Sequence, residues 1–193
     1  MIAGLSALFT AVVLVPASPG ARTASLGTAA CISRTKVCTM GKTDDRLAEL
    51  GITLPAAPAP LASYIPCVRS GNMLYLSGSV PFKEDGTLHA GKVGAEYSLE
   101  QAQACARTVG LQLIATLKAN SDLDKVRVVK LVGFVNSPPD FYQQPEVINA
   151  CSDLMVEVFG KERGTHARSA VGTSVLPRNV PVEIEMIAEV LEA

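Results

Sequence analysis

An α+β fold, with one sheet beneath two helices, is what this 193-residue sequence predicts, and three patterns carry the expectation. Apolar residues recur at spacings of three and four through Ala102, Cys105, Ala106, Val109, Leu113, Ile114 and Leu117. They recur again through Val147, Ile148, Cys151, Leu154, Met155 and Val158, so each run marks a helix with one buried stripe. The third pattern is C-terminal, where Val182, Ile184, Met186, Ala188 and Val190 alternate with Glu183, Glu185, Ile187 and Glu189 as a strand with one covered face does. Strands that precede and follow such helices, with antiparallel pairs among them, pack as two layers.

Residues 1–42 read as a targeting leader and 43–193 as the folded domain. The leader carries Arg22, Arg34, Lys36 and Lys42 with no acid before Asp44. Ile2 to Pro16 is apolar or small throughout, yet shorter than the roughly 20 residues a membrane span needs, so no membrane partner is expected. This segment suits a secretory signal core. The Ser/Thr/Ala-rich stretch up to Met40 suits an organellar, mitochondrial-type transit peptide, and a true start at Met40 is a third reading. From Leu47 to Leu61 the prolines 55, 58 and 60 predict an extended lead-in.

Met73 to Ser77 reads as a strand, and Glu84-Asp85-Gly86 as a turn. Ser98 followed by Gln101 forms a capping box for the first long helix, which should run to about Asn120. Val126 to Val135 is apolar on both sides apart from Arg127 and Lys130, as a strand covered on two faces would be. Pro145 opens the second helix and Gly160 is expected to end it. The sheet face away from the helices would carry Leu74 or Leu76, Val128 and Ile184, and an exposed apolar face implies a partner.

Seventeen basic and eighteen acidic residues, a net charge of −1 and 5% aromatics leave no basic stripe for nucleic acid. The five cysteines show no Cys-x-x-Cys spacing and no paired histidines accompany them, so neither a disulfide framework, a metal nor a cofactor is expected. Cys105 and Cys151 fall on apolar helix stripes, where a thiol packs as a small hydrophobe. Cys31 and Cys38 lie in the leader, and Cys67 is left undecided.

The segment most suggestive of chemistry runs from Gly164 to Glu185, where one strand carries Arg168 and the next carries Glu183 across a Leu-Pro-Arg-Asn-Val-Pro turn. A guanidinium offers a planar fork that matches a carboxylate with two hydrogen bonds, and a strand glutamate can orient a water. Spacing alone favours Glu183, Glu185 and Glu189 as a solvated face with Arg168 paired to one of them. His166, two residues before Arg168, should share its face. Arg178 and Asn179 read as turn residues, with Asn favoured for its tolerance of unusual backbone angles.

Together with Ser63-Tyr64, Gly71-Asn72-Met73-Leu74-Tyr75-Leu76-Ser77-Gly78 and the approach from Phe159, this segment resembles the Rid (YjgF, L-PSP) family of reactive-intermediate deaminases. The resemblance covers about Leu54 to Val190. It implies a chorismate mutase-like (YjgF-type) single mixed sheet with two helices on one face, and a homotrimer with ligand clefts between neighbouring subunits. It implies hydrolysis of 2-imino and 2-enamino acids, such as 2-aminoacrylate, to 2-keto acids and ammonia. By the same resemblance Arg168 grips the substrate carboxylate, Glu183 holds or activates water, Tyr64 lines the cleft, and Gly78 lets the backbone approach the ligand. Ala170 stands where the well-studied branch usually has a cysteine, which leaves substrate preference open. A non-catalytic ligand-binding trimer is the competing expectation. The endoribonuclease label common in the family finds no basic groove in this sequence.

Overall fold

The computed structural model describes residues 41–57 and 63–192; the leader up to residue 40, and Pro58 and Pro60 with the extended lead-in expected of them, lie outside these residues. Helix α1 spans Lys42–Glu49, followed by strands β1 (Cys67–Ser70) and β2 (Met73–Ser79), helix α2 (Leu99–Asn120) and strand β3 (Val126–Asn136). Helix α3 (Gln144–Gly164) and strands β4 (Ala167–Thr173) and β5 (Val182–Val190) complete the order. One mixed five-stranded sheet runs β1-β2-β5-β3-β4. All of its pairs are antiparallel except β3 with β4.

Helix α2 begins where its cap dictates. The Gln101 backbone N–H donates to Ser98 Oγ, and the Ser98 N–H donates back to Gln101 Oε1. Its apolar stripe and that of α3 pack together over the sheet. Val109, Leu113, Ile114, Ile148, Leu154 and Met155 are all at most 1% exposed, and truncating such a residue typically costs about 2–5 kcal/mol. Cys67, Cys105 and Cys151 are buried free thiols, and burial pushes the Cys151 thiol up to about 12.

Four expectations are corrected. The lead-in from Leu47 was expected to be extended, but Leu47–Glu49 are the last turn of α1, which begins at Lys42. The N-terminus of α1 is capped by Asp124, which accepts from the Lys42 and Thr43 N–H groups and the Thr43 hydroxyl across about eighty residues of sequence. No local pattern announces such a cap.

Secondly, the regular helix breaks at Gly160 as expected, but α3 does not stop there. Gly160 takes a positive φ of 74°, kinking the helix, and a further turn follows to Gly164. That turn brings Arg163 back to the carbonyls of Leu123, Asp124 and Val126 and to the Thr43 hydroxyl, tying α3 to α1. Thirdly, Leu74, Leu76, Val128 and Ile184 do not lie on the open face of the sheet; they are buried beneath the helices. Strand alternation separates two faces but does not say which one the helices cover.

Fourthly, β3 is covered on one side only within the chain. Val126, Val128, Leu131 and Val135 are buried, whereas Arg127 is exposed and Lys130, Val132 and Phe134 are half-buried. The open face carries Val68 and Tyr75, about half exposed, and Val171 at 44%, together with Glu183 and Glu185. Among the described residues no helix is long and apolar enough to cross a membrane.

Candidate functional site

Strand β5 keeps its alternation, with Val182, Ile184, Met186 and Ala188 buried and Glu183 and Glu185 on the other side. Glu183 sits opposite Phe134 of β3. Across β2 it lies directly over Gly78. A methyl group added at Gly78 would come within 3.0 Å of the Glu183 carboxyl carbon and closer still to Oε1. The glycine is therefore there for close approach, since its φ lies outside the left-handed region.

Tyr64 precedes the segment that runs along β2 beside Gly78. That segment is held along β2 by the Ser77 N–H donating to the Pro66 carbonyl at 3.0 Å and the Ser77 hydroxyl donating to the Ile65 carbonyl at 2.8 Å. Tyr64 is 53% exposed. Burial, and then the neighbouring Glu185 carboxylate, raise the Glu183 pKa above the ordinary glutamate range.

Arg168 is elsewhere. It pairs in register with Leu131, a helix-side residue, and its Nη1 donates to Asn149 Oδ1 at 2.8 Å and Ser152 Oγ at 3.1 Å on α3. It therefore lies on the helix-side edge of β4, whereas Glu183 lies on the open face. The two are two strands and three residues apart, about 14 Å between Cα atoms from ordinary sheet spacings. Within one chain the arginine and the glutamate do not converge.

Nor does Arg168 pair with a strand glutamate. The ion pairs among the described residues are Arg46–Glu49, Arg107–Glu157 and Lys118–Asp44. Both Nη1 hydrogens of Arg168 are occupied by neutral acceptors. Its Nε–Nη2 edge, an array suited to a bidentate carboxylate, has no protein acceptor among the described residues.

His166 shares the face of Arg168, as the period of two predicts. Its Nε2 lies 3.1 Å from Ser152 Oγ and its Nδ1 2.6 Å from the Gly164 carbonyl. Asn149 and Ser152 were not anticipated. Their three-residue spacing on α3, polar beside an apolar stripe, was the available signal. Arg178 and Asn179 both adopt positive φ, 55° and 57°, and the Asn179 side chain accepts from Asn136 Nδ2 at 2.9 Å. Ala170 is partly buried against the core. No group of three or more His, Cys, Asp or Glu side chains suited to a metal occurs among the described residues.

The sequence pattern of the family described as Endoribonuclease L-PSP matches residues 54–190. Protein TCP17 of Trypanosoma cruzi is 44% identical over 155 residues, covering 79% of this chain and 97% of that protein. A 2-iminobutanoate/2-iminopropanoate deaminase of Dermatophagoides farinae is 30% identical, covering 70% and 92% respectively. The crystal structure of Atu1372 from Agrobacterium tumefaciens superimposes with a TM-score of 0.68 at 43% identity, covering 77% of this chain and 91% of that one. The family pattern over residues 54–190, relatives at 44% and 30% identity over most of their length, and the likeness to Atu1372 lead to one assignment: the chain belongs to the Endoribonuclease L-PSP (Rid/YjgF) family.

Proposed function

We propose that this protein hydrolyses the C=N bond of small 2-imino acids, and of the 2-enamino acids that tautomerise to them, releasing a 2-keto acid and ammonia. The observation that carries the reading is the pair of half-sites. One is an arginine whose carboxylate-matching edge has no internal partner. The other is a half-buried glutamate packed against a glycine on the opposite face. Copies of the chain assembled through the open sheet faces, as a homotrimer, bring one protomer's arginine beside the next protomer's glutamate. The half-exposed Val68, Tyr75 and Val171 support such an assembly, since burying apolar surface contributes roughly 25 cal/mol per Å². The deaminase name of a 30% identical relative supports the same chemistry.

In this reading the Nε–Nη2 edge of Arg168 holds the substrate carboxylate in plane. Glu183 accepts a proton from a water as that water adds to the imine carbon, forming a carbinolamine. That first proton passes to nitrogen, giving the neutral carbinolamine; Glu183 then takes the carbinolamine hydroxyl proton and returns it to the same nitrogen, so that the C–N bond breaks and ammonia leaves as the carbon–oxygen double bond forms. Tyr64 borders the cleft and orients the leaving nitrogen. A raised Glu183 pKa suits a group that must both take and return a proton near neutral pH.

Ammonia release from freshly generated 2-aminoacrylate tests this directly. Arg168→Ala should lower kcat/KM by about 30-fold or more, the scale of losing a charge-assisted bidentate contact. A rate equal to that of the unaltered protein would reject the proposal.

A further inference from the structure

We infer that His166 is a positioning residue for Arg168, acting through Ser152. The inference rests on the reading of Arg168 as the carboxylate holder and adds a dependence that reading does not contain. The chain of contacts fixes its own polarity. A carbonyl oxygen can only accept, so the 2.6 Å contact between His166 Nδ1 and the Gly164 carbonyl places the ring proton on Nδ1. In the neutral ring Nε2 then carries a lone pair, and at 3.1 Å it accepts the Ser152 hydroxyl proton.

Ser152 has one proton to give. Committed to His166, it leaves its lone pairs for Arg168 Nη1, which can only donate, at 3.1 Å. A hydroxyl that donates is also a better acceptor, because successive hydrogen bonds polarise one another. Without the imidazole the hydroxyl becomes a free rotor, able to turn its proton back to its own helix as serines in helices do. Asn149 Oδ1 takes the second Nη1 hydrogen at 2.8 Å. Together the two acceptors set the plane of the guanidinium and aim its Nε–Nη2 edge outward. Gly164 and His166 lie at the junction of α3 and β4, so the relay draws its geometry from the joint between those elements.

The test combines turnover with the affinity of 2-oxobutanoate, a simple 2-keto acid, measured by titration calorimetry. His166→Phe keeps the ring volume and removes both hydrogen bonds. It should raise KM and weaken 2-oxobutanoate binding about three- to ten-fold, the range for one hydrogen bond of ordinary strength, while kcat stays within about two-fold. His166→Gln, whose amide oxygen can stand near Nε2, should restore much of the affinity. In a Ser152→Ala background His166→Phe should add no further loss, because its route to Arg168 is already cut.

Should His166→Phe fail to fold, His166→Asn takes its place, keeping a donor for the Gly164 carbonyl while falling short of Ser152. An unchanged KM in His166→Phe or His166→Asn, or a loss that simply adds to that of Ser152→Ala, overturns the inference. Arg168→Ala runs alongside as the separating arm. If it leaves 2-oxobutanoate affinity intact, the carboxylate-holder reading fails, whatever the histidine variants show.

Discussion

The corner around Arg168 and the patch around Glu183 hold their charged groups by opposite means. The guanidinium is held by direction: two neutral acceptors on α3 occupy Nη1, and one of them is backed by His166. The carboxylate is held by shape, lying where the missing side chain of Gly78 leaves room and where burial resists its charge. A hydrogen-bonded cation tolerates exposure because its partners fix its orientation. A half-buried anion packed against backbone has its position fixed by volume and its proton affinity raised by lost solvation. Different substitutions should therefore disable the two regions.

The contrast is broken most forcefully at Gly78. In Gly78→Ala the new methyl would occupy the space of the Glu183 carboxylate. Because the carboxylate is the mobile end of a side chain, it can swing aside, so stability should change by less than about 1 kcal/mol. A displacement of about 1 Å is nevertheless expected to lower kcat by around 100-fold. Thermal melting and steady-state kinetics on the same sample decide the matter. A large fall in stability with kcat preserved would show that the glycine serves packing and not the carboxylate.

A smaller effect sharpens the electrostatic half. The folded pKa of Glu183 is raised, so between the ordinary glutamate value near about 4.3 and the folded value the native state binds more protons than the unfolded state. Stability from this group is present at low pH and is lost as pH rises through the folded pKa. Glu183→Gln removes that loss. Relative to the unaltered protein, the variant should be indistinguishable near pH 4 and more stable near pH 7–8, while losing turnover. A stability difference that stays constant with pH, or reverses sign, would show that burial does not strain the carboxylate.

The two long helices were legible because their signals are local: a capping box at Ser98 and apolar spacing of three and four. Helix α1 was not, since its cap is an aspartate some eighty residues away, and the last turn of α3 is secured by Arg163 reaching three distant carbonyls. The alternation in β5 told Glu183 apart from Ile184 without telling which of them faced the helices. Of the proposed site, Arg168, Glu183, Gly78 and Tyr64 were visible through family resemblance. The separation of Arg168 from Glu183 was not, because it depends on strand order and sheet facing. Asn149 and Ser152 went unnoticed because polar residues on a helix flank ordinarily meet solvent.

Complementation between two inactive variants tests most directly whether the site is shared between copies. Arg168→Ala keeps the glutamate half and Glu183→Gln keeps the arginine half. Each alone should have little imine hydrolysis. Unfolded together and refolded at equal ratio into mixed ring assemblies, they should recover about a quarter of the unaltered activity, because one interface in four then joins an intact arginine to an intact glutamate. Activity that stays at the level of the separate variants, in assemblies shown to be mixed, would contradict a site built from two protomers.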